Sequence, residues 1–229
     1  MTRSYTIALD GSTYRGSVAV LRDSQVVGER SLGGDDGGKP GGGRGETLMP
    51  AIAECLKEAG IKREAIARIV CGAGPGSFTS LRVAGSVAKG LAVGYAVDLY
   101  AVSSLVLTVT GARPTLPAGK YLSVLDAMRG EYFAVRVTLL PDQTVIQPEP
   151  TTLVGIEELM GLAEREPLVR AVGPGQRLDF HPHARGVAPL LESMLEHGPV
   201  DLASWEPNYG RLAEAQVRWE AAHGRPLTG

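Results

Sequence analysis

The stretch that decides the fold is GPGSFTSLRVAGSVAKGLA, residues 74–92. A Gly-Pro-Gly turn and the hydroxyl residue Ser77 precede apolar residues at helical spacing. Such a start is typical of phosphate-binding loops, with Ser77 as the N-cap and the next backbone N–H groups open to an anion. The stretch is neither a Walker loop nor a GxSxG nucleophile elbow. No histidine lies near it in the sequence, so we do not expect Ser77 to be a nucleophile.

A helix over this stretch has two apolar sides at 100° per residue. One side suits packing on a sheet and holds Leu81, Ala84, Gly85, Ala88, Leu91 and Ala92. The second side holds Val83, Val87, Gly90 and Gly94, which leaves Arg82, Ser86, Lys89 and Val93 for solvent. Because each interior glycine costs a helix about 1 kcal/mol, we expect a closely packed neighbour on the second side. Another helix of this chain and a partner protein are both compatible with that pattern.

Composition narrows the function classes. The chain has 229 residues, a net charge of −2 and 44% hydrophobic residues, which suits one large domain or two small ones. Clustered basic residues are needed to hold nucleic acid, so we do not expect this chain to bind it alone. The two cysteines, Cys55 and Cys71, form no CxxC and are expected to be buried thiols. Without a long apolar run or a signal peptide, the sequence predicts a cytoplasmic protein with no membrane partner.

The first half predicts the order β-β-β-α-β-α-β, with an antiparallel start followed by parallel strands. Its strands are expected at 5–9, 16–21, 25–32, 67–71 and 97–102, and its helices at 46–59 and from residue 79. Residues 33–45 hold eight glycines and predict a mobile loop. The second half predicts strands at 121–125, 131–140, 144–146 and 168–172, and helices that begin near Ser103 and Ser104 or span 157–165, 189–196 and 214–223.

Two internal echoes indicate a duplicated module. Ala8-Leu9-Asp10 is followed by Arg15-Gly16, and Val124-Leu125-Asp126 is followed by Arg129-Gly130. A strand followed by Gly-Pro-Gly occurs at residue 74 and again at residue 173. We therefore predict an α/β protein of two like halves with mixed sheets flanked by helices, residues 1–103 and 104–229.

Two polar clusters are candidate sites. Asp10, Ser12 and Thr13 in an Asp-Gly-Ser-Thr turn could hold a phosphate or nucleotide, although the same residues are favoured in an ordinary turn. The His181-Pro182-His183 sequence is expected to be solvated surface, because no third metal ligand accompanies it. We predict no catalytic residue, no metal site and no cofactor of the chain's own.

The sequence resembles the TsaB family, also called YeaZ, over roughly residues 5–135. The similar segments are ALDGST with GSVAV, GPGSFTSLR with AKGLA, and LDAMRGE, and EPNY fits the Pro-x-Tyr ending of that family. The resemblance implies two RNase H-like halves of the actin, Hsp70 and sugar-kinase type. It implies a non-catalytic subunit that pairs with TsaD and acts with the ATPase TsaE to transfer threonylcarbamoyl to adenosine 37 of tRNA.

The resemblance also implies where the partner binds. The family interface is a helix bundle, matched here by residues 46–59 and 79–95, and members self-associate through the same surface. tRNA is then met only through the complex, and ATP or ADP is expected only at the level of the complex. The residues expected at the interface are Leu48, Met49, Ile52, Cys55, Val83, Val87, Gly90 and Gly94.

The sequence departs from the family pattern at Gly11, Ser80 and 44–46, where the family has Thr, Gly and His-Ser-Glu. The metal-binding HxxxH of TsaD is absent. The alternative is an ATP-dependent small-molecule kinase of the same fold, with Asp10, Ser12 and Asp126 around Mg²⁺. Neither a general base nor an adenine pocket can be named for it.

Overall fold

A computed structural model of the chain describes residues 4–33, 47–141, 144–146, 150–210 and 222–224. The first half has one five-stranded sheet in the order β3-β2-β1-β4-β5. Its elements, in chain order, are β1 (Tyr5–Asp10), β2 (Ser17–Arg22), β3 (Gln25–Ser31), α1 (Leu48–Glu58), β4 (Ile66–Gly72), α2 (Phe78–Tyr95) and β5 (Asp98–Val102). This is the predicted order, each element lying within about two residues of its expected bounds.

Short turns explain the antiparallel part of this sheet and helices explain the parallel part. The first three strands form a meander, in which Asp10 lies opposite Ser17 across β1 and β2. β4 is parallel to β1, and β5 is parallel to β4, because α1 and α2 return the chain to the end of the sheet at which the preceding strand began. The apolar sides of α1 and α2 pack with β1 and β4 in one core that includes Ile7, Ile52 and Ile69.

The second sheet has the order β10-β6-β7-β8, with β9 also paired to β7. β6 and β7 are antiparallel, as β1 and β2 are in the first sheet. β10 is parallel to β6, as β4 is to β1. The elements that follow β5 are α3 (Ser104–Gly111), β6 (Gly119–Asp126), β7 (Glu131–Leu139), β8 (Val145–Ile146), β9 (Thr152–Gly155), α4 (Ile156–Met160), α5 (Leu162–Arg165), β10 (Val169–Val172) and α6 (Leu191–His197).

The structure confirms the two echoes read from the sequence. Asp10 ends β1 and Asp126 ends β6, and each carboxylate accepts a hydrogen bond from the backbone N–H two residues later, at 3.0 and 2.7 Å. The two Gly-Pro-Gly turns follow β4 and β10, which are the equivalent strands of the two sheets. The two halves therefore share strand topology and turn chemistry.

α3 lies between the two sheets. All eight of its residues are buried, with Leu105, Val106 and Val109 packed against β6 and β7, and Leu107 packed against the first sheet. The 3₁₀ segment Ala184–Leu190 and the start of α6 pack against the first sheet through Ala184, Val187 and Leu191, while Leu190 also packs against the core of the second sheet. The boundary between residues 103 and 104 stays a prediction.

Three sequence predictions need adjustment in the second half. The helix expected at 157–165 is two short helices that meet at Gly161, and β9 was not foreseen because it is four residues long without alternating polarity. The helix expected at 189–196 begins later, after the 3₁₀ segment. Residues 214–221 of the predicted helix and residues 34–45 of the glycine-rich loop lie outside the described residues, while residues 222 and 223 are helical. Within the described part of the chain, no helix has the length and apolarity to cross a membrane.

Candidate functional site

The first apolar side of α2 is buried as predicted. Its buried residues are the six expected on that side: Leu81, Ala84, Gly85, Ala88, Leu91 and Ala92. Small side chains let the helix lie close to its neighbours, since a Cβ at Gly85 would be 3.0 Å from Pro207 Cγ. The helix ends at Ala96, which adopts a left-handed conformation with φ 51° and closes the last turn.

The second side of α2 is open, among the described residues, only toward the C-terminal end of the helix. Val83 and Val87 are half-buried because they pack against the core that α1 shares, whereas Gly90 and Gly94 are exposed. A Cβ built at Gly90 or Gly94 meets no heavy atom within 4 Å, so neither glycine is required by a close contact within the described chain. Val93, expected on the solvent side, is 67% exposed and extends this apolar surface. We call Val83, Val87, Gly90, Val93 and Gly94 the α2 surface.

α1 contributes less to a partner surface than the sequence predicted. Leu48, Ile52 and Cys55 are only 3%, 2% and 1% exposed, because they pack into the core beneath the helix. These three side chains are not accessible to a partner in this structure, and only Met49, 47% exposed, stays available. The sequence pattern showed one apolar face on this helix, and the helix's own sheet occupies that face.

α1 is also tied to the sheet by charge. Arg30 on β3 forms a salt bridge with Glu58 and lies 3.9 Å from Glu54, both on the outer side of α1. These carboxylates are more than half exposed, so the pair adds little stability on its own. It nevertheless joins β3 to the outer side of α1.

In the turn that begins at Asp10, the candidate nucleotide site, the carboxylate is bonded to groups of the protein itself. Asp10 is fully buried, and its Oδ1 accepts hydrogen bonds from Ser12 N at 3.0 Å and Ser12 Oγ at 2.8 Å. Its Oδ2 accepts a hydrogen bond of 2.6 Å from Ser104 Oγ, at the start of α3. Burial raises the pKa of the Asp10 carboxyl, while the hydrogen bonds from Ser104 and Ser12 oppose that rise. The carboxylate links β1 to α3 and points into protein.

The neighbouring residues leave little room beside Asp10. A Cβ at Gly72 would lie 1.9 Å from Asp10 Oδ2, and a Cβ at Gly11 would lie 2.8 Å from Ala84 Cβ on α2. Gly11 is one of the departures from the family pattern, and this close approach to α2 explains why glycine suits the position. Thr13 bonds only locally, since its Oγ1 donates to the Arg15 carbonyl at 3.1 Å and accepts from Arg15 N at 3.2 Å.

A C-terminal segment covers the Gly-Pro-Gly turn. Asn208 N donates to the Ala73 carbonyl at 2.7 Å, and the ring of Tyr209 lies 4.6 Å from that of Phe78. Gly74 has φ 86°, and a Cβ there would be 2.4 Å from the Asn208 carbonyl oxygen. The sequence could not reveal this contact, because the two segments lie more than 130 residues apart. The turn that looked like a phosphate cradle is occupied by the protein's own chain.

The contacts of Ser77 also show that this turn is bonded within the protein. It takes the N-cap position of α2, but its side chain makes no capping bond; its hydroxyl donates to Ser80 Oγ at 3.1 Å instead. Its backbone N donates to the Ser12 carbonyl at 2.7 Å, which joins the two turns. The kinase alternative needs Asp10 to face Mg²⁺ and phosphates, and this arrangement disfavours it. Asp126 is exposed and bonds within its own turn.

The two histidines of the HxH sequence are half-buried rather than solvated, which corrects the sequence-based expectation. His183 Nδ1 accepts from Arg185 N at 3.1 Å and its Nε2 lies 3.2 Å from Ser31 Oγ. Burial lowers the pKa of both His181 and His183, and a nearby arginine lowers each further. Within the described ranges, no three His, Cys, Asp or Glu side chains come together as a metal would need.

Comparison with known proteins identifies the family. Residues 45–184 match the family model described as TsaD: tRNA N6-adenosine threonylcarbamoyltransferase. The chain is 25% identical to the tRNA threonylcarbamoyladenosine biosynthesis protein TsaB of Bacillus subtilis, over 93% of this chain and 96% of that protein. It is 29% identical to TsaB of Escherichia coli over 56% of this chain and 52% of that protein.

Solved structures agree at the level of the fold. YeaZ from Pseudomonas aeruginosa superposes with a TM-score of 0.72 at 23% identity, covering 90% of this chain and 99% of that one. The match includes both sheets, which accords with the two halves described above. The family model covers more than half of the chain, so the chain belongs to this TsaD-like family, and its sequence motifs and curated relatives match TsaB (YeaZ).

Proposed function

We propose that this chain is a non-catalytic subunit in the biosynthesis of threonylcarbamoyladenosine on tRNA. It pairs with a TsaD-like catalytic subunit, and a TsaE-like ATPase completes the assembly in the cytoplasm. The names of the curated relatives support the pathway, and the α2 surface supports the role of a subunit that binds a partner.

One observation carries the proposal. An 18-residue helix that packs on its sheet with six residues also exposes an apolar strip with two glycines. Nothing in the described chain lies within 4 Å of a Cβ at either glycine. The two glycines therefore lower the stability of the helix without allowing any close contact inside the described chain. A second helix laid against Gly90 and Gly94 could approach closely and bury Val83 and Val87 completely. The partner surface we propose therefore consists of the α2 surface and Met49.

The proposed lack of catalysis rests on the state of the polar residues. Asp10 is buried and accepts three hydrogen bonds from Ser12 and Ser104, and the Gly-Pro-Gly turn is covered by Asn208 and Tyr209. In this proposal the chain has no cofactor of its own, ATP or ADP binds only in the complex, and tRNA is contacted only through the complex. Without its partner, the chain forms a homodimer through the same surface.

The test is co-purification of the tagged chain with the TsaD-like protein of the same organism. Val87→Glu and Gly90→Arg place a charge on the surface to be covered and are expected to abolish the complex, because a buried unpaired charge costs several kcal/mol. Arg82→Glu is the charge-changing control on the same helix, since Arg82 is exposed and at 100° per residue projects away from Val87 and Gly90. It should leave the complex intact.

A complex that survives both Val87→Glu and Gly90→Arg would contradict the surface assignment. Circular dichroism of each variant shows whether the isolated chain still folds, which separates loss of binding from loss of structure. The pathway assignment is tested separately, by the threonylcarbamoyladenosine content of tRNA in cells depleted of this chain.

A further inference from the structure

His183 joins three parts of the fold at the point where the 3₁₀ segment Ala184–Leu190 begins. It is the N-cap residue of that segment, and its Nδ1 accepts a hydrogen bond of 3.1 Å from Arg185 N. Its Nε2 lies 3.2 Å from Ser31 Oγ on β3. A Cβ at Gly111, the last residue of α3, would lie 2.8 Å from His183 Cβ, so the chain packs closely there. The 3₁₀ segment, β3 and α3 therefore meet at one histidine.

The hydrogen bonds of His183 fix the protonation state of its ring. A backbone N–H can only donate, so Nδ1 is unprotonated where it accepts from Arg185 N. A neutral imidazole then carries its one proton on Nε2, which donates it to Ser31 Oγ. A proton on Nδ1 would place a donor against the N–H of Arg185. The capping bond therefore exists only while His183 is neutral.

The charged groups around His183 oppose its protonation. Arg185 belongs to the 3₁₀ segment, and its Nη1 lies 3.3 Å from Glu29 Oε1 on β3. Burial and Arg185 lower the pKa of His183, and Glu29 raises it by less, since Glu29 already balances Arg185. α3 has no titratable side chain, and Arg113 beyond its end lines the same hollow as Arg185. No element around the ring therefore offers it a carboxylate that is not already paired with Arg185.

The 3₁₀ segment that His183 caps joins the two halves of the molecule. Ala184 and Val187 are buried against the first sheet, and Leu190 packs against the cores of both sheets. Ala184 N also donates to Ser17 Oγ on β2 at 2.9 Å, and serine does not titrate in this range. The segment contains no Asp or Glu of its own. Loss of the capping bond would therefore loosen a contact on which both halves depend.

We propose that His183 is a pH-sensitive switch, whose protonation breaks the capping bond to Arg185 N and loosens the 3₁₀ segment from β3. The pKa of His183 is lower in the folded chain than its ordinary value of 6.5. Its contribution to stability is therefore complete above 6.5 and is lost as the pH falls through the folded-state pKa. This proposal does not depend on the proposed function.

The experiment has to resolve His183 from His181. Burial and Arg15 lower the pKa of His181 as well, while Asp179 raises it, so both histidines contribute to a loss of stability in acid. Nuclear magnetic resonance of the isotope-labelled full chain reports the tautomer and the titration of each ring separately. At neutral pH we expect His183 to carry its proton on Nε2 alone and to gain the second proton on Nδ1 only below its ordinary pKa.

Hydrogen exchange follows the segment itself. After correction for the intrinsic pH dependence of exchange, the amide of Arg185 should lose protection between about pH 8 and about pH 5, where histidine titrates. The amides of β4, which lies inside the first sheet, should keep their protection over the same range. This pattern distinguishes a local release of the 3₁₀ segment from unfolding of the whole chain.

His183→Asn is the matched variant, because asparagine can cap the segment through Oδ1 but does not titrate. In urea titrations its stability should fall less than that of wild type as the pH decreases. His197→Asn is the histidine control, since His197 is exposed and its Nδ1 lies 2.6 Å from the Ser193 carbonyl oxygen, a bond that survives protonation. It should retain the acid loss of wild type.

Three results would overturn the proposal. One is a His183 ring that carries its proton on Nδ1 at neutral pH, which the resonance spectrum of wild type decides without any variant. Another is an Arg185 amide with the same protection at both ends of the pH range. The third is an equal loss of stability in acid for wild type and His183→Asn.

Discussion

Gly90→Ala should make the isolated chain more stable. Gly90 lies inside α2, five residues before its end at Tyr95, where glycine costs about 0.8–1.0 kcal/mol relative to alanine. The new Cβ would meet no heavy atom of the described chain within 4 Å, so no steric penalty offsets that gain. We expect the free energy of unfolding to rise by about 0.5–1 kcal/mol and the melting temperature by roughly 1–4 °C, given the size of the chain.

Gly85→Ala is the matched control on the same helix. It offers the same gain in propensity, but its Cβ would lie 3.0 and 3.4 Å from two atoms of Pro207 and 3.7 Å from Trp205. The C-terminal segment would have to move, so we expect Gly85→Ala to be less stable than Gly90→Ala. Urea unfolding followed by circular dichroism measures both variants under identical conditions.

The measurement is made at concentrations where gel filtration shows a monomer, so that a homodimer does not cover Gly90. If Gly90→Ala destabilises the monomer, a part of the chain already covers Gly90, and the α2 surface is not free for a partner. If the surface is free and closely covered in the complex, the same alanine should weaken co-purification with the TsaD-like protein while it strengthens the isolated fold. We therefore expect Gly90→Ala to raise the free energy of unfolding and to lower the amount of TsaD-like protein that co-purifies.

The other predictions concern the buried polar cluster and the thiols. Ser104→Ala removes the donor to Asp10 Oδ2 and should lower the free energy of unfolding by about 1–3 kcal/mol, whereas Ser103→Ala should change it little because its hydroxyl has no partner among the described residues. The raised pKa of Asp10 gives a contribution to stability that is complete below the ordinary value of 3.8 and is lost as pH rises through the folded-state pKa, so the stability of wild type relative to Asp10→Asn should fall with rising pH in urea titrations. Cys55 and Cys71 are 1% and 0% exposed, and burial raises the pKa of both thiols, so a disulfide reagent at neutral pH should label neither until the chain unfolds.

Each of these outcomes has a result that would contradict it. Equal stability of Ser104→Ala and Ser103→Ala would show that the bond to Asp10 contributes little. A stability difference between wild type and Asp10→Asn that rises with pH would mean that the folded-state pKa is lowered rather than raised. Rapid labelling of either cysteine in the native chain would show that the core opens locally.

The local pattern of α2 could be read from sequence because helical periodicity is a property of neighbouring residues. The six residues assigned to the buried side are the six found buried. The order of strands and helices along the first half followed from turn spacing and apolar runs. The internal echoes were visible for the same reason, since each is a short local motif. The TsaB resemblance rested on such motifs and is confirmed by the comparisons.

Contacts between distant segments needed the tertiary structure. On α1 the periodicity of Leu48, Ile52 and Cys55 showed that they share a face, but periodicity cannot tell whether a face meets its own sheet or another protein. In the folded chain that face is buried. Likewise Ser104 reaches Asp10 across 94 positions, which converts a candidate nucleotide turn into a structural link.

The sequence by itself determined the elements of the first half, the duplicated halves, the family and the two-sided character of α2, because those depend on residue type and spacing. Only the tertiary structure decided which side of each helix is free and what covers the Gly-Pro-Gly turn. Burial is set by long-range packing, and the segment that ends in Asn208 and Tyr209 returns to the turn from the far end of the chain.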